Sequence, residues 1–208
     1  MEIRDNTTNP DQSTEEKIKE AARIVFTSKG YAATRVRDIA AEANINLALV
    51  NYYFRSKEKL FDLIMAETMQ KLFEKIRPVI NDESTTLEEK LGGIAENYLE
   101  LLLENPELPL FVVSEMRSGS NKLPAMTGNG KLFLESHFAK QLHLLAAEGK
   151  LKFHPFNIIM NLLGLIVFPF IGRPLLLKTG ILNDGEFKKI IEERKKLIPL
   201  WIVSIINL

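Results

Sequence analysis

Between Lys29 and Lys59 the chain sets six basic side chains, Lys29, Arg35, Arg37, Arg55, Lys57 and Lys59, against three acidic ones, Asp38, Glu42 and Glu58. Cations gathered in this way can neutralise phosphates. The same stretch holds Asn46 and Asn51, and an asparagine amide can pair with the edge of an adenine. Over all 208 residues, 27 Lys and Arg balance 27 Asp and Glu, so the formal charge is zero. Any affinity for a polyanion must therefore come from this local excess. A local excess taken alone also describes an ordinary solvated face.

Other chemistries find little footing. There are no cysteines, which removes disulfides, thiolate metal sites and thiol nucleophiles. The three histidines are His137, His143 and His154. None forms a metal-binding pair with a carboxylate at H-E-x-x-H spacing, and no Gly-rich phosphate loop or G-x-S-x-G turn is present. The expectation is a protein that is not an enzyme and that needs no metal or cofactor. A helical adaptor that binds only proteins is the other class these residues leave open.

The elements that must position the basic stretch follow from apolar spacing. Residues 1–12 are polar and read as a frayed tail without a signal-peptide core. Ser13-Thr14-Glu15-Glu16 resembles a capping box, and Ile18, Ala22, Val25 and Phe26 share one face of a first helix that Gly30 stops. Thr34 is placed to cap a short second helix over 35–43, with Val36, Ile39, Ala40 and Ala43 inward. Asn44-Ile45-Asn46 makes a turn, with Asn44 in a left-handed conformation and Asn46 capping a third helix over 47–53. Ser56 caps a fourth helix whose stripe is Leu60, Phe61, Ile64, Met65, Leu72 and Ile76 and which ends at Pro78. Further helices are expected at 86–104, 107–118, 130–148, 155–177 and 185–207, and no stretch alternates as a strand would. The fold class is all-α, with two short helices joined by a tight turn as in a helix-turn-helix.

The residues Gly30-Tyr31-Ala32-Ala33-Thr34-Arg35-Val36-Arg37-Asp38-Ile39-Ala40, Ala43-Asn44-Ile45-Asn46 and Tyr52-Tyr53-Phe54-Arg55-Ser56-Lys57-Glu58-Lys59-Leu60 resemble the TetR family of bacterial repressors. The likeness covers residues 14–65 and rests on more than ten positions at fixed spacing. It implies a double-stranded DNA operator as partner. By position it also implies DNA-binding roles for Thr34, Arg35, Val36, Arg37, Asn46, Leu47, Ala48, Asn51, Tyr52 and Lys57. Thr34, Arg35, Arg37 and Lys57 would face phosphates, and Asn46, Leu47 and Ala48 would open the recognition helix. Tyr53 and Phe54 are expected in the core instead. Asn44, Asn46 and Asn51 stand where the family more often has Gly, Ser or Thr, and Tyr.

The resemblance divides the chain into a tail (1–12), a helix-turn-helix domain (13–57), a connecting helix and junction (58–82) and a ligand-binding and dimerisation domain (83–208). It implies a small-molecule effector and a homodimer; the polar N-terminus without a signal-peptide core makes a cytoplasmic location the expectation. The last two helices are the expected dimer contact, because the run from Ile158 to Phe168 and the end Leu197-Ile198-Pro199-Leu200-Trp201-Ile202-Val203 are apolar on nearly every face. Ile158 to Ile171, interrupted by Asn161, Gly164 and Pro169, reads as too short for a membrane span. Candidate ligand contacts are Phe111, Met116, Phe133, His137, Phe138, Gln141 and Phe168, with Trp201 as a further aromatic. His137 and Gln141 are four apart and share a helix face. The effector is expected to be mostly apolar.

Overall fold

Asn44 decides how the second helix ends. Its φ of 52° is left-handed, as its residue type predicts. The Ile45 N–H reaches back to the Ala40 carbonyl at 3.0 Å and the Asn44 N–H to that of Ala41 at 3.1 Å. This pair of bonds is a Schellman stop. The chain then turns at once into the next helix, where Asn46 Oδ1 accepts from the Ala48 N–H at 2.9 Å.

The computed structural model describes residues 10–118 and 130–206. All regular structure among them is helical: α1 (Pro10–Ala33), α2 (Val36–Glu42), α3 (Leu47–Phe54), α4 (Lys57–Asn81), α5 (Leu87–Glu104), α6 (Leu108–Ser118), α7 (Lys131–Leu134), α8 (His137–Ala147), α9 (Phe156–Lys178) and α10 (Asp184–Ile206). The chain divides into two units at Glu67 and Thr68, ten residues beyond the expected end of the first domain at 57. The all-α expectation holds.

In the first unit α1 already includes Pro10, the first described residue, ahead of the expected start at Ser13. Gly30 breaks the helix with φ 73° and ψ 161°. Ile18, Ala22, Val25 and Phe26 are buried, as their spacing predicts, and so are Leu60, Phe61 and Ile64. The ring centroids of Phe26 and Phe61 lie 5.0 Å apart and those of Tyr31 and Phe61 lie 4.7 Å apart. Glu67 ties α4 to α1 through Lys19 at 2.9 Å and Arg23 at 2.6 Å. Ser56 caps α4, accepting from the Lys59 N–H at 3.1 Å.

In the second unit α5 packs most broadly on α10, and α9 packs on α5, α6 and α10. Three expectations change here. α4 does not end at Pro78 but runs on to Asn81. Pro78 and Glu74 are both exposed, so water can serve the carbonyl that proline leaves unpaired, and the final turn is anchored by fully buried Ile80. The helix expected over 130–148 is two, because Ser136 starts α8 by accepting the Ala139 N–H at 3.1 Å. α9 is 23 residues long, longer than the apolar run Ile158 to Ile171, and by length and composition alone is apolar enough to cross a membrane. Its Ile158, Leu162, Ile166 and Phe170 are buried at fourfold spacing within the helical unit. Pro169 deprives the Leu165 carbonyl of its helical donor, and Arg194 Nη2 replaces it at 2.7 Å.

Lys90 is the most deeply buried charge among the described residues, with no exposed surface. Its Nζ donates to the carbonyls of Asp82 at 2.6 Å and Thr85 at 2.7 Å and to Thr85 Oγ1 at 2.7 Å. All three ammonium protons are thus used to close the turn between α4 and α5. Burial pulls its pKa below the ordinary lysine value against the opposing pull of Asp82 and Glu89.

The Asn44 stop makes a direct prediction for stability. Asn44→Ala should cost about 1–2 kcal/mol in urea denaturation, because a Cβ-bearing residue without a local amide is strained at positive φ. Asn44→Gly should match or exceed the parent.

Candidate nucleic-acid interface

α3 is LALVNYYF, and only two of its side chains, Val50 and Phe54, are buried. Residues 47, 48, 51 and 52 are spaced to share one arc of a helix. All four, Leu47, Ala48, Asn51 and Tyr52, are exposed, and Tyr52 is 78% exposed. Tyr53 is half-buried, with its ring 5.4 Å from that of Tyr52 and 6.3 Å from that of Phe54. The outer arc is therefore free while the inner one is packed, as a helix that must enter a groove requires. Leu49 is also exposed, at 41%. Helical period from the inward Val50 would have marked it.

Around α3 the six basic residues divide by use. Lys29 pairs with Asp38 at 3.5 Å. The Arg35 backbone N–H, then Lys29 and Arg37, hold the Asp38 carboxyl below its ordinary pKa despite some burial. Arg35, Arg37, Arg55 and Lys59 are exposed and have no ion-pair partner among the described residues. Arg55 follows α3 at φ 60°, an unusual angle for a residue with a Cβ. Val36 is half-buried at the start of α2. Asn46 is exposed, but its Oδ1 is engaged by the cap.

Two implied phosphate contacts need correction in their local role. Thr34 does not cap α2; Arg35 occupies that position, and its N–H donates to Asp38 Oδ2 at 3.0 Å. Thr34 is 2% exposed, and its hydroxyl donates 2.7 Å to the Gly30 carbonyl. It stabilises the break after α1 from inside. Lys57 is half-buried, and its Nζ donates to the carbonyls of Tyr31 at 2.8 Å and Thr34 at 3.0 Å. It also sits 4.2 Å from the Tyr31 ring centroid. Two of its three N–H bonds are therefore spent on fixing α4 to the end of α1.

The candidate ligand contacts lie in the second unit. Phe111 and Phe138 are buried, and Phe133 is half-buried with its ring 6.3 Å from that of Phe73. His137 and Gln141 lie one turn apart on α8, and Gln141 Nε2 donates to the Thr85 carbonyl at 3.0 Å. His137 Nδ1 and Gln141 Oε1 are buried without a hydrogen-bond partner among the described residues. Phe168 is 70% exposed and so is not an interior contact in the single chain. Its position on α9 opposite the buried stripe explains this. The Met116 side chain lies outside the described residues. Trp201 is 37% exposed, with the Arg194 guanidinium 5.1 Å from its ring.

Two short helices around a sharp turn, the second bare on its outer arc and flanked by unpaired cations, define a helix-turn-helix DNA-binding unit. Residues 18–64 match the family model described as bacterial regulatory proteins, tetR family. Over those residues the chain is similar to that family of transcriptional regulators. It is 24% identical over 200 residues, 93% of this chain and 94% of the relative, to the "Probable HTH-type transcriptional regulator YttP" of Bacillus subtilis (strain 168). It is 30% identical over 82 residues, 39% of this chain and 40% of the relative, to the HTH-type transcriptional repressor KstR2 of Mycolicibacterium smegmatis. Among solved structures, the transcriptional regulator FadR from Bacillus subtilis in complex with stearoyl-CoA superposes with a TM-score of 0.59 at 20% identity, covering 88% of this chain and 96% of that one.

Lys57→Met keeps the side-chain stem but leaves two carbonyls without a donor. Urea denaturation should show a loss of about 1–3 kcal/mol. A variant as stable as the parent would show that the ammonium does not fasten α4 to α1.

Proposed function

We propose that the chain is a sequence-specific repressor that binds a double-stranded DNA operator as a homodimer and leaves it when a small, mostly apolar ligand binds. The observation that carries this reading is the free outer arc of α3 with Arg35, Arg37, Arg55 and Lys59 exposed in the same unit. Arg35 and Arg37 at the start of α2 would meet phosphates, and Leu47, Ala48, Asn51 and Tyr52 would meet base edges. Thr34 contributes by holding Arg35 in place, and Lys57 has one N–H left for a phosphate. Residues 13–57 act as the reading domain, 58–82 as the connection and 83–208 as the sensing and pairing domain. Such a regulator works in the cytoplasm, alongside the DNA it reads.

Dimerisation is supported by the face of α9 opposite its buried stripe. Met160, Leu163, Phe168, Ile171 and Leu175 are all exposed there, and Leu197, Leu200 and Trp201 are exposed on α10. So much apolar surface on neighbouring helices is what a second subunit covers. Two recognition helices in one dimer suit half-sites about 34–36 Å apart on one side of the duplex.

Ligand sensing is supported by the unpartnered buried atoms of His137 and Gln141. Leaving such atoms unpaired is costly, so a ligand with an apolar body and one polar group would be favoured there. The stearoyl-CoA held by the FadR neighbour is a precedent for an apolar tail. α4 contributes residues to both units and is the element through which ligand and operator would each weaken the other's binding.

A mobility-shift assay with duplex from upstream of the chain's own reading frame tests the operator claim. Binding should weaken steeply as salt rises, and Arg35→Ala with Arg37→Ala should lower the logarithmic salt slope by about 2. No binding at low salt would overturn it. For the dimer, Phe168→Glu with Leu175→Glu should give monomers by light scattering and weaken operator binding. Retention of the dimer would place the interface elsewhere.

A further inference from the structure

The recognition helix carries no arginine, lysine, aspartate, glutamate or glutamine. Its outward arc offers two aliphatic side chains, Leu47 and Ala48, one amide, Asn51, and one phenol, Tyr52. These four are exposed together because Val50 and Phe54 pin the opposite side. Asn46, at the helix start, has its Oδ1 committed to the Ala48 N–H at 2.9 Å. That leaves one nitrogen to donate, without the two-nitrogen fork that the O6 and N7 edge of guanine takes from arginine.

In the major groove each base pair offers a distinct pattern. Guanine is read by paired donors, cytosine by an acceptor, adenine by an amide that both donates and accepts, and thymine by contact with its 5-methyl group. Of these partners, α3 supplies the last two; the Tyr52 hydroxyl can add one single bond, as donor or acceptor, which does not by itself distinguish one base pair from another. We infer that the base pairs beneath α3 in each half-site are A·T pairs, with adenine held by the Asn51 amide and thymine methyls packed against Leu47 and Ala48. The inference rests on the operator reading above and names the chemistry of that operator. Arginines outside α3, Arg35 and Arg37 on α2 and Arg55 after α3, stay available for phosphates and flanking pairs and do not alter what lies under α3 itself.

The same arrangement sets the character of the contact. A methyl packed on an aliphatic side chain excludes water without directional bonds, so Leu47 and Ala48 read shape and apolarity. Asn51 is then the one group on the arc that reads a base by a paired hydrogen bond. Losing it should blur one position of the site and leave the others.

The test is selection of the full-length protein on randomised duplexes at fixed salt, followed by titration of the selected site. The selected half-site should contain an A·T pair whose preference falls at least about fivefold in Asn51→Ala. Replacing thymines beside that pair with deoxyuridine removes only the 5-methyl groups, and should cost the parent protein about three- to fourfold per contacted methyl. That loss should shrink in Leu47→Ala. Because deoxyuridine changes the DNA and not the protein, the result does not depend on a variant's folding. A G·C pair at the Asn51-sensitive position, or indifference to deoxyuridine throughout the site, overturns the inference while salt-dependent binding leaves the operator reading intact. Failure of the parent protein to bind any duplex at low salt overturns both.

Discussion

α3 is eight residues long, too short to be stable on its own. It must also keep one face bare. Both demands are met by fixing the helix from outside its own sequence: a left-handed Asn44 before it, an Asn46 cap at its start, and two inward side chains, Val50 and Phe54. Every other feature of the first unit serves to make that small anchorage firm. Buried Ile39 and Ala40 give α2 a face without bulk, and α2 in turn touches α1 and α3. The Phe26, Tyr31 and Phe61 rings join α1 to α4.

Cations are used here as internal donors as well as surface charges. Lys57 holds two carbonyls at the end of α1, Lys90 closes the turn before α5 with all three protons, and Arg194 serves the carbonyl that Pro169 leaves free. In each case a backbone oxygen outside regular pairing is satisfied by a long side chain from another element. A basic residue at a motif position can therefore be spent on the fold. The charge left for a partner is carried by the arginines at the start of α2, by Arg55 and by Lys59.

Much of this was legible in the residues. Apolar spacing placed α1 to α3 within a few residues, Asn44 announced its left-handed turn, and Asn46 and Ser56 announced their caps. The misses have physical reasons. Pro78 reads as a stop, yet an exposed carbonyl and buried Ile80 let the helix continue. Ser136 is a favoured N-cap type, but it sits inside a stretch whose spacing reads as one continuous helix. The types of Thr34 and Lys57 suit surface roles, but whether a hydroxyl or ammonium turns inward depends on carbonyls brought near by the fold, and Gly30, Tyr31 and Thr34 supply them only after α1 breaks. In the second unit, apolar spacing identified α9 as needing cover on all sides without saying which half the chain itself provides.

On the function proposed above, the outer arc of α3 is the surface that meets base edges. Methyl NMR on protein labelled at leucine, alanine and valine measures this directly during titration with a selected duplex. The Leu47 and Ala48 methyls should shift strongly and saturate with one half-site per subunit, while the buried Val50 methyls move little. Shifts confined to other helices, with Leu47 and Ala48 unmoved, would contradict it.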